Sequence, residues 1–283
     1  MTDPVLWLAL RNSAANRRRE VSALLGRGLT PAAVFRLSFS ELAEGASPEL
    51  ARRLAPGPDL RAAQSDLSRA RDLGVRLLTP DDPGFPLRLR SIPDPPLVLY
   101  LRGELASGTA LAVVGGRHPS SSARNGARAG CSTCAASGVT IVSGLAYGID
   151  GAAHRGALDS GGQTLAVLAS GVDKPSPAEH RGLARKILEQ GGALLSEQPC
   201  GKPALPHAFP ERNRLISGLA DLVWVVEARE ASGSLWWVSL IVLVVLLGAA
   251  FAFWWFVGRN RNRATVISLA ERTMRQLNDV RGA

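Results

Sequence analysis

The chain has 283 residues, room for one large domain and a smaller companion, and its 46% hydrophobic content suits a packed core. Its 33 basic residues exceed 24 acidic ones for a net charge of +9, a modest excess that favours an anionic partner. Three cysteines exclude a disulfide framework and point to a reducing compartment.

Near the N-terminus, "VLWLAL" follows Asp3. It lacks the basic start and longer apolar run of a secretory signal, so the main body is expected to stay in the cytoplasm. Residues 5 to about 55 read as short helices. Val21, Leu24, Leu25 and Leu29 follow helical spacing, and Thr30-Pro31 restarts a helix with a cap and a first-turn proline. "SFSELAEG" repeats the pattern, with Ser38 or Ser40 as cap and Gly45 as stop. "APGPD" (55–59) is a linker signal, so 1–58 is expected to be a small helical domain.

From about residue 70 the texture changes. "GVRLLTPDDPGFP" and "PPLVLYLRG" each carry a short strand. The apolar runs "LAVVG", "VTIVSG", "TLAVLASG", "ALLSE" and "DLVWVVEA" then alternate with helix-like stretches. Continuous apolar strands separated by helices imply an α/β fold, a Rossmann-like doubly wound parallel sheet covered on both faces. This domain is expected over 70–235.

In such sheets the ligand sits at the carboxyl ends of the strands, so the loop after each strand is the informative part. After "LAVV" comes "GGRHPSSSARNG". Its glycines permit close backbone approach, Arg117 can fork onto a phosphate, and Ser120 to Ser122 can cap the next helix. Ser143 and Gly144 stand at the second tip, and later tips also carry Ser, Gly and basic residues. The dinucleotide fingerprint is missing, and no acid stands at the end of the second strand to hold a ribose, which speaks against NAD. No G-K-[ST] follows the glycines, which speaks against a P-loop. Cys131 and Cys134 form one C-x-x-C without a second pair or clustered histidines, and read as packing residues. His154 reads as a structural histidine, because no nucleophile is tied to it. In "FPERNRLISG" (209–218), Arg212, Asn213 and Arg214 open a helix after a strand tip, a placement suited to an extended anionic chain.

The segments "VVGGRHPSSSARNGA", "VSGLAYGIDGAAHRGAL", "TLAVLASGVDKPSPAEHRGLA", "LLSEQPCGKPALPHAFPERNRLISGLADLVWVVEA" and "SGSL" stand in the order seen in the DNA-processing protein A (DprA/Smf) family. The chain resembles that family over about 76–235. The resemblance implies single-stranded DNA binding in natural transformation, protection of incoming DNA, and loading of a RecA-type recombinase. It implies no catalysis, cofactor or metal. By motif position, Arg117, Arg181, Arg212, Asn213 and Arg214 are expected to contact the DNA backbone. Gly115, Gly116, Ser143 and Gly144 are expected to wall a phosphate pocket. Gly116, Ser176 and His180 depart from the family's usual Ser or Thr, Tyr and Asn.

After Leu235 the family pattern is expected to stop. "WWVSLIVLVVLLGAAFAFWWFV" (236–257) carries no charge, is long enough to span a bilayer, and has paired tryptophans at both ends. It is expected to be a transmembrane helix that engages the lipid bilayer, followed by a basic tail at 258–283. A large unsignalled domain implies a cytoplasmic N-terminus at the inner membrane, although the basic tail pulls the other way. The family's homodimer contacts lie largely in the part expected to be missing, so dimerisation is in doubt. Two other readings stand beside this one: a membrane-anchored nucleotide sensor or hydrolase on the same fold, and a non-functional truncated fusion.

Overall fold

The computed structural model describes residues 3–227. Six helices precede the sheet: α1 (Pro4–Ala14), α2 (Arg18–Gly26), α3 (Pro31–Val34), α4 (Phe39–Gly45), α5 (Pro48–Leu54) and α6 (Leu60–Asp72). All of these but α2 start on a side-chain cap. Asp3 accepts from Val5 N at 2.9 Å, Thr30 from Ala33 N, Ser47 from Leu50 N and Asp59 from Ala62 N. Ser38 is the cap of α4, in a capping box with Glu41. The helix ends at Gly45, as its sequence suggests.

Helices this short cannot bury enough apolar surface by themselves. Val5, Trp7, Leu8 and Leu10 of α1 accordingly share one continuous core with Leu24, Leu42, Leu50 and Leu54, and with Val98, Tyr100, Ala166, Leu168 and Leu194 of the sheet region. The helical segment therefore continues past residue 58 through α6 and rests on the sheet. The Tyr100 hydroxyl donates to Asp66 of α6 at 2.6 Å, and Arg11 of α1 pairs with the same carboxylate.

Glu20 ties α2 to α5. Its carboxylate accepts from Ser47 N and from Arg17, each at 2.7 Å. The Ser47 hydrogen bonds, with Arg17, hold its pKa down to about 2 from the ordinary 4.5. A carboxylate depressed in the folded state stabilises it above the unfolded pKa, and that contribution is lost as pH falls toward the folded one. Circular dichroism during acid titration is expected to show Glu20→Gln losing less helix than the parent chain between about pH 4.5 and about pH 2. Identical acid profiles would contradict the assignment.

Among the described residues the sheet has seven strands: β1 (Arg76–Leu78), β2 (Leu99–Gly103), β3 (Ala110–Gly115), β4 (Thr140–Ser143), β5 (Thr164–Leu168), β6 (Ala193–Ser196) and β7 (Leu222–Val226). Their order is β1-β2-β6-β5-β4-β3-β7. The five apolar runs singled out in the sequence form the parallel part, β6-β5-β4-β3-β7. The sheet is not wholly parallel, however. β2 pairs antiparallel with both β1 and β6, because the loop through α7 (Leu87–Arg90) returns the chain in the opposite direction instead of crossing over a face.

Side chains alternate between the two faces. Leu99, Leu101, Ala112, Val142, Leu165, Val167 and Leu195 pack against Leu89, against Leu215 and Ile216 of α11 (Ala208–Gly218), and against Leu219 just after it. On the other face, Val113 and Ile141 meet α8 (Ser121–Ala136) and α9 (Ile149–Asp159), while α10 (Arg181–Glu189) joins the core of the N-terminal helices. The crossover from β6 to β7 thus leaves α11 opposite α8, α9 and α10. All the chemistry-bearing loops emerge at one edge.

Among the described residues no helix is long and apolar enough to cross a membrane. The expected span at 236–257 and the basic tail at 258–283 lie outside the described residues.

Candidate nucleic-acid interface

The loop after β3 carries Gly115, Gly116 and Arg117. Gly115 is a packing glycine, since a Cβ there would lie 2.2 Å from Val226 O and 2.6 Å from Ile149 Cγ1. A Cβ on Gly116 would meet Glu227 O at 3.3 Å. Ser120 caps α8 by accepting from Ala123 N at 3.1 Å, as its sequence suggests. The negative charge at this helix end comes from the chain itself: the Glu227 carboxylate accepts from Ser120 N at 3.0 Å and from the Ser120 hydroxyl.

The loop after β4 touches the loop after β3. Ile149 N donates to Gly116 O at 3.2 Å, and Gly148 (φ +76°) lies so close that a Cβ would sit 2.3 Å from the same oxygen. Ser143 is fully buried and its hydroxyl donates to Val113 O at 2.7 Å, which fastens β4 to β3. Gly144 is covered by the Arg212 guanidinium, whose Nη1 would lie 2.2 Å from any Cβ there. Gly115, Ser143 and Gly144 therefore do not wall an open phosphate pocket, contrary to expectation. Their small size serves close approach of the chain to itself.

Arg212 departs from expectation in the same way. It is only 5% exposed, and its Nη1 donates to Gly144 O at 2.7 Å and to Val167 O. The buried Asp150 carboxylate is its electrostatic neighbour, without a direct ion pair. Burial draws the Arg212 pKa down to about 10, with Asp150 opposing, and burial raises that of Asp150. Arg212 pins α11 to the tips of β4 and β5.

Two residues along the helix, Arg214 points elsewhere. It gives Nη2 to both oxygens of Glu197, at 2.7 and 2.6 Å, and its Nε lies 3.3 Å from Asp94. Arg18 of α2 joins the same two acids, with Nη2 3.3 Å from Asp94 and Nε 4.0 Å from Glu197, and its Nη2 also lies 3.7 Å from Glu211. Arg214 is thus an ion-pair partner in a part-buried cluster. Asn213 lies between them on the helix, half-buried, and its carbonyl accepts from the Ser217 hydroxyl.

Arg117 and Arg181 are exposed. The Arg117 guanidinium stacks over Phe209 at 5.1 Å from the ring centroid. It also lies close enough to Arg212 to lower the latter's pKa, so both belong to one region. Arg181 opens α10 beside Glu179, whose carboxylate accepts from the Tyr147 hydroxyl.

Sequence reasoning passed over Lys174 and Lys202. Both are exposed and stand on the loops after β5 and β6. These loops are hydrogen-bonded to each other: Gly171 N donates to Lys202 O at 2.9 Å and Gly201 N to Asp173 Oδ1 at 2.8 Å. A signal was available, because only three lysines occur in a chain otherwise rich in arginine, and two of them follow strand tips. Among the described residues none of Arg117, Lys174, Arg181 and Lys202 forms an ion pair.

The residues read as bland are so. Cys131 is buried against α9, its thiol pushed up to about 12 by burial. His154 is fully buried, with Nδ1 2.8 Å from Thr164 Oγ1. That hydroxyl donates to Ile141 O, so His154 is the donor to it. Burial lowers the His154 pKa to about 3.

Residues 76–242 match the family model described as DNA recombination-mediator protein A. The chain belongs to this family. The match runs past Leu235, where the resemblance was expected to end. Among curated relatives, Protein Smf of Escherichia coli K12 is 44% identical over 62% of this chain and 47% of its own length. DNA processing protein DprA of Bacillus subtilis is 36% identical over 60% of this chain and 58% of its own. The chain spans about half the length of the curated relatives it matches. The structure of DNA processing protein A from Streptococcus pneumoniae superimposes with a TM-score of 0.68 at 28% identity, covering 83% of this chain and 82% of that one. The Helicobacter pylori protein, whose structure concerns a single-stranded DNA binding mode, gives a TM-score of 0.51 at 28% identity over 56% of this chain and 73% of that one.

Proposed function

We propose that this DprA family member binds single-stranded DNA along the carboxyl edge of its parallel strands, without catalysis, and passes it to a RecA-type recombinase. On this reading it protects DNA taken up in natural transformation, and residues 236–257 tether it to the inner membrane with the sheet domain in the cytoplasm. One observation carries the binding: Arg117, Lys174, Arg181 and Lys202 are all exposed at one edge, and none of them forms an ion pair among the described residues. Unpaired cations on adjacent loops suit a phosphodiester chain, which is recognised by charge and read without sequence preference. Phe209, under Arg117, offers a face on which a base can stack.

Fluorescence anisotropy of the full chain with a labelled single strand, at two salt concentrations, tests this. Arg117→Ala with Lys202→Ala is expected to weaken binding at least about tenfold and to flatten the slope of log K against log salt by about 1.4, two contacts at about 0.7 each. An unmutated chain that fails to bind at low salt rules the reading out.

A further inference from the structure

Between α8, α9 and α10 lies a groove with a volume of ≈ 380 Å³. Arg128, Arg155 and Lys186 line it, and Leu158 and Leu183 contribute apolar surface. Two acids also line it, and both are already engaged. Asp159 accepts from Arg128 Nε at 2.5 Å and Nη2 at 2.9 Å, and Glu179 accepts from the Tyr147 hydroxyl. Arg155 and Lys186 form no ion pair among the described residues, nor does Arg124, one helical turn before Arg128. Arg155 is drawn below its ordinary pKa by burial and then by the crowding of Arg128 and Arg124. Asp159 opposes this as the lesser influence on Arg155, so Arg155 carries a counter-charge nearby but no ion pair.

The groove is continuous with the sheet edge. Gly148 packs against the carbonyls of Gly116 and Arg117, a Cβ there lying 2.6 Å from Arg117 O. Its neighbour Tyr147 is 41% exposed, reaches Glu179, and holds its ring 5.4 Å from that of His180. Glu179 is itself part of the groove wall. Arg117, Tyr147, Arg181 and the groove therefore follow one another across the surface, cationic at both ends with an aromatic face between them.

We propose that the groove is a second segment of the single-stranded DNA track: a strand held at the sheet edge turns over Tyr147, which stacks a base, and lays its next phosphates against Arg155 and Lys186. This rests on the edge reading above and extends it to a longer footprint. Phosphates would pair with Arg155 and Lys186, which the two acids of the groove leave without an ion pair, and Leu158 and Leu183 suit the sugar and base carbons.

The test uses the full chain and two labelled thymidine oligonucleotides, of about 6 and about 20 nucleotides, lengths chosen to fill the edge alone and to run beyond it. Arg155→Ala with Lys186→Ala is expected to leave the short strand's affinity within about twofold and to weaken the long one about tenfold. The salt slope for the long strand should flatten by about 1.4, and that for the short one should not change. Tyr147→Ala is expected to act in the same direction, with Tyr147→Phe retaining long-strand affinity because the ring remains. Equal binding of the long strand by parent and double variant overturns the proposal, as does an equal loss on both lengths. Failure of the edge reads out separately: the unmutated chain would not hold the short strand, and the extension falls with it.

Discussion

Replacing Arg212 by methionine is expected to destabilise the fold by about 3–5 kcal/mol, the range for leaving a buried charge uncompensated. Methionine fills similar volume but leaves two strand-tip carbonyls, Gly144 O and Val167 O, without the donor they now have. It also leaves the buried Asp150 carboxylate without its compensating charge. Asp150→Asn added to Arg212→Met should recover part of the loss, since the charge is then gone and only the orphaned carbonyls remain. Lysine should rescue poorly, because its single ammonium cannot spread flat over Gly144 as the planar guanidinium does. Urea unfolding followed by circular dichroism measures these differences. A loss below about 1 kcal/mol would show Arg212 to be a surface contact after all. Arg117→Ala is the counterpart, expected to cost DNA affinity with stability changed by less than about 0.5 kcal/mol.

The second large effect belongs to Gly148→Ala. Its φ of +76° favours glycine, and the new Cβ would sit 2.3 Å from Gly116 O and 2.6 Å from Arg117 O. Backbone strain of about 1–3 kcal/mol adds to a clash that neither carbonyl can relieve by a side-chain rotation. The β3 and β4 loops must then separate, which moves Arg117 and Tyr147 relative to each other. A loss of about 3 kcal/mol or more is expected, together with weaker binding of single-stranded DNA. Gly161→Ala is the control: its φ is +69°, but nothing lies within 4 Å of the added Cβ, so only the strain of about 1–2 kcal/mol applies. Thermal unfolding of the two variants side by side separates clash from strain, and equal losses would exclude the clash.

Both cases show how far local pattern carries. The five parallel strands were legible because each is a continuous apolar run bounded by turn residues, and buried parallel strands need just that composition. Thr30, Ser38 and Ser120 were legible as caps because a cap is satisfied within its own first turn. The antiparallel pairing of β2 was not legible. An apolar run such as "LVLYL" looks alike in either direction, and its partner β6 lies far along the chain. Nor could spacing show that α6 continues the helical segment, because only two of its residues, Ala63 and Ala70, are fully buried.

The arginines mark the boundary most clearly. Sequence placed Arg117, Arg181, Arg212 and Arg214 at strand tips or helix starts, and that placement follows from chain order alone in a parallel α/β sheet. It could not assign their directions. Whether an arginine meets solvent, a carbonyl or an acid depends on what distant segments bring to it: Gly144 and Val167 to Arg212, Glu197 and Asp94 to Arg214, Phe209 to Arg117. Local chemistry fixed where each guanidinium begins. Burial and charge compensation across the folded chain decided where it ends, leaving Arg117, Lys174, Arg181 and Lys202 to face outward.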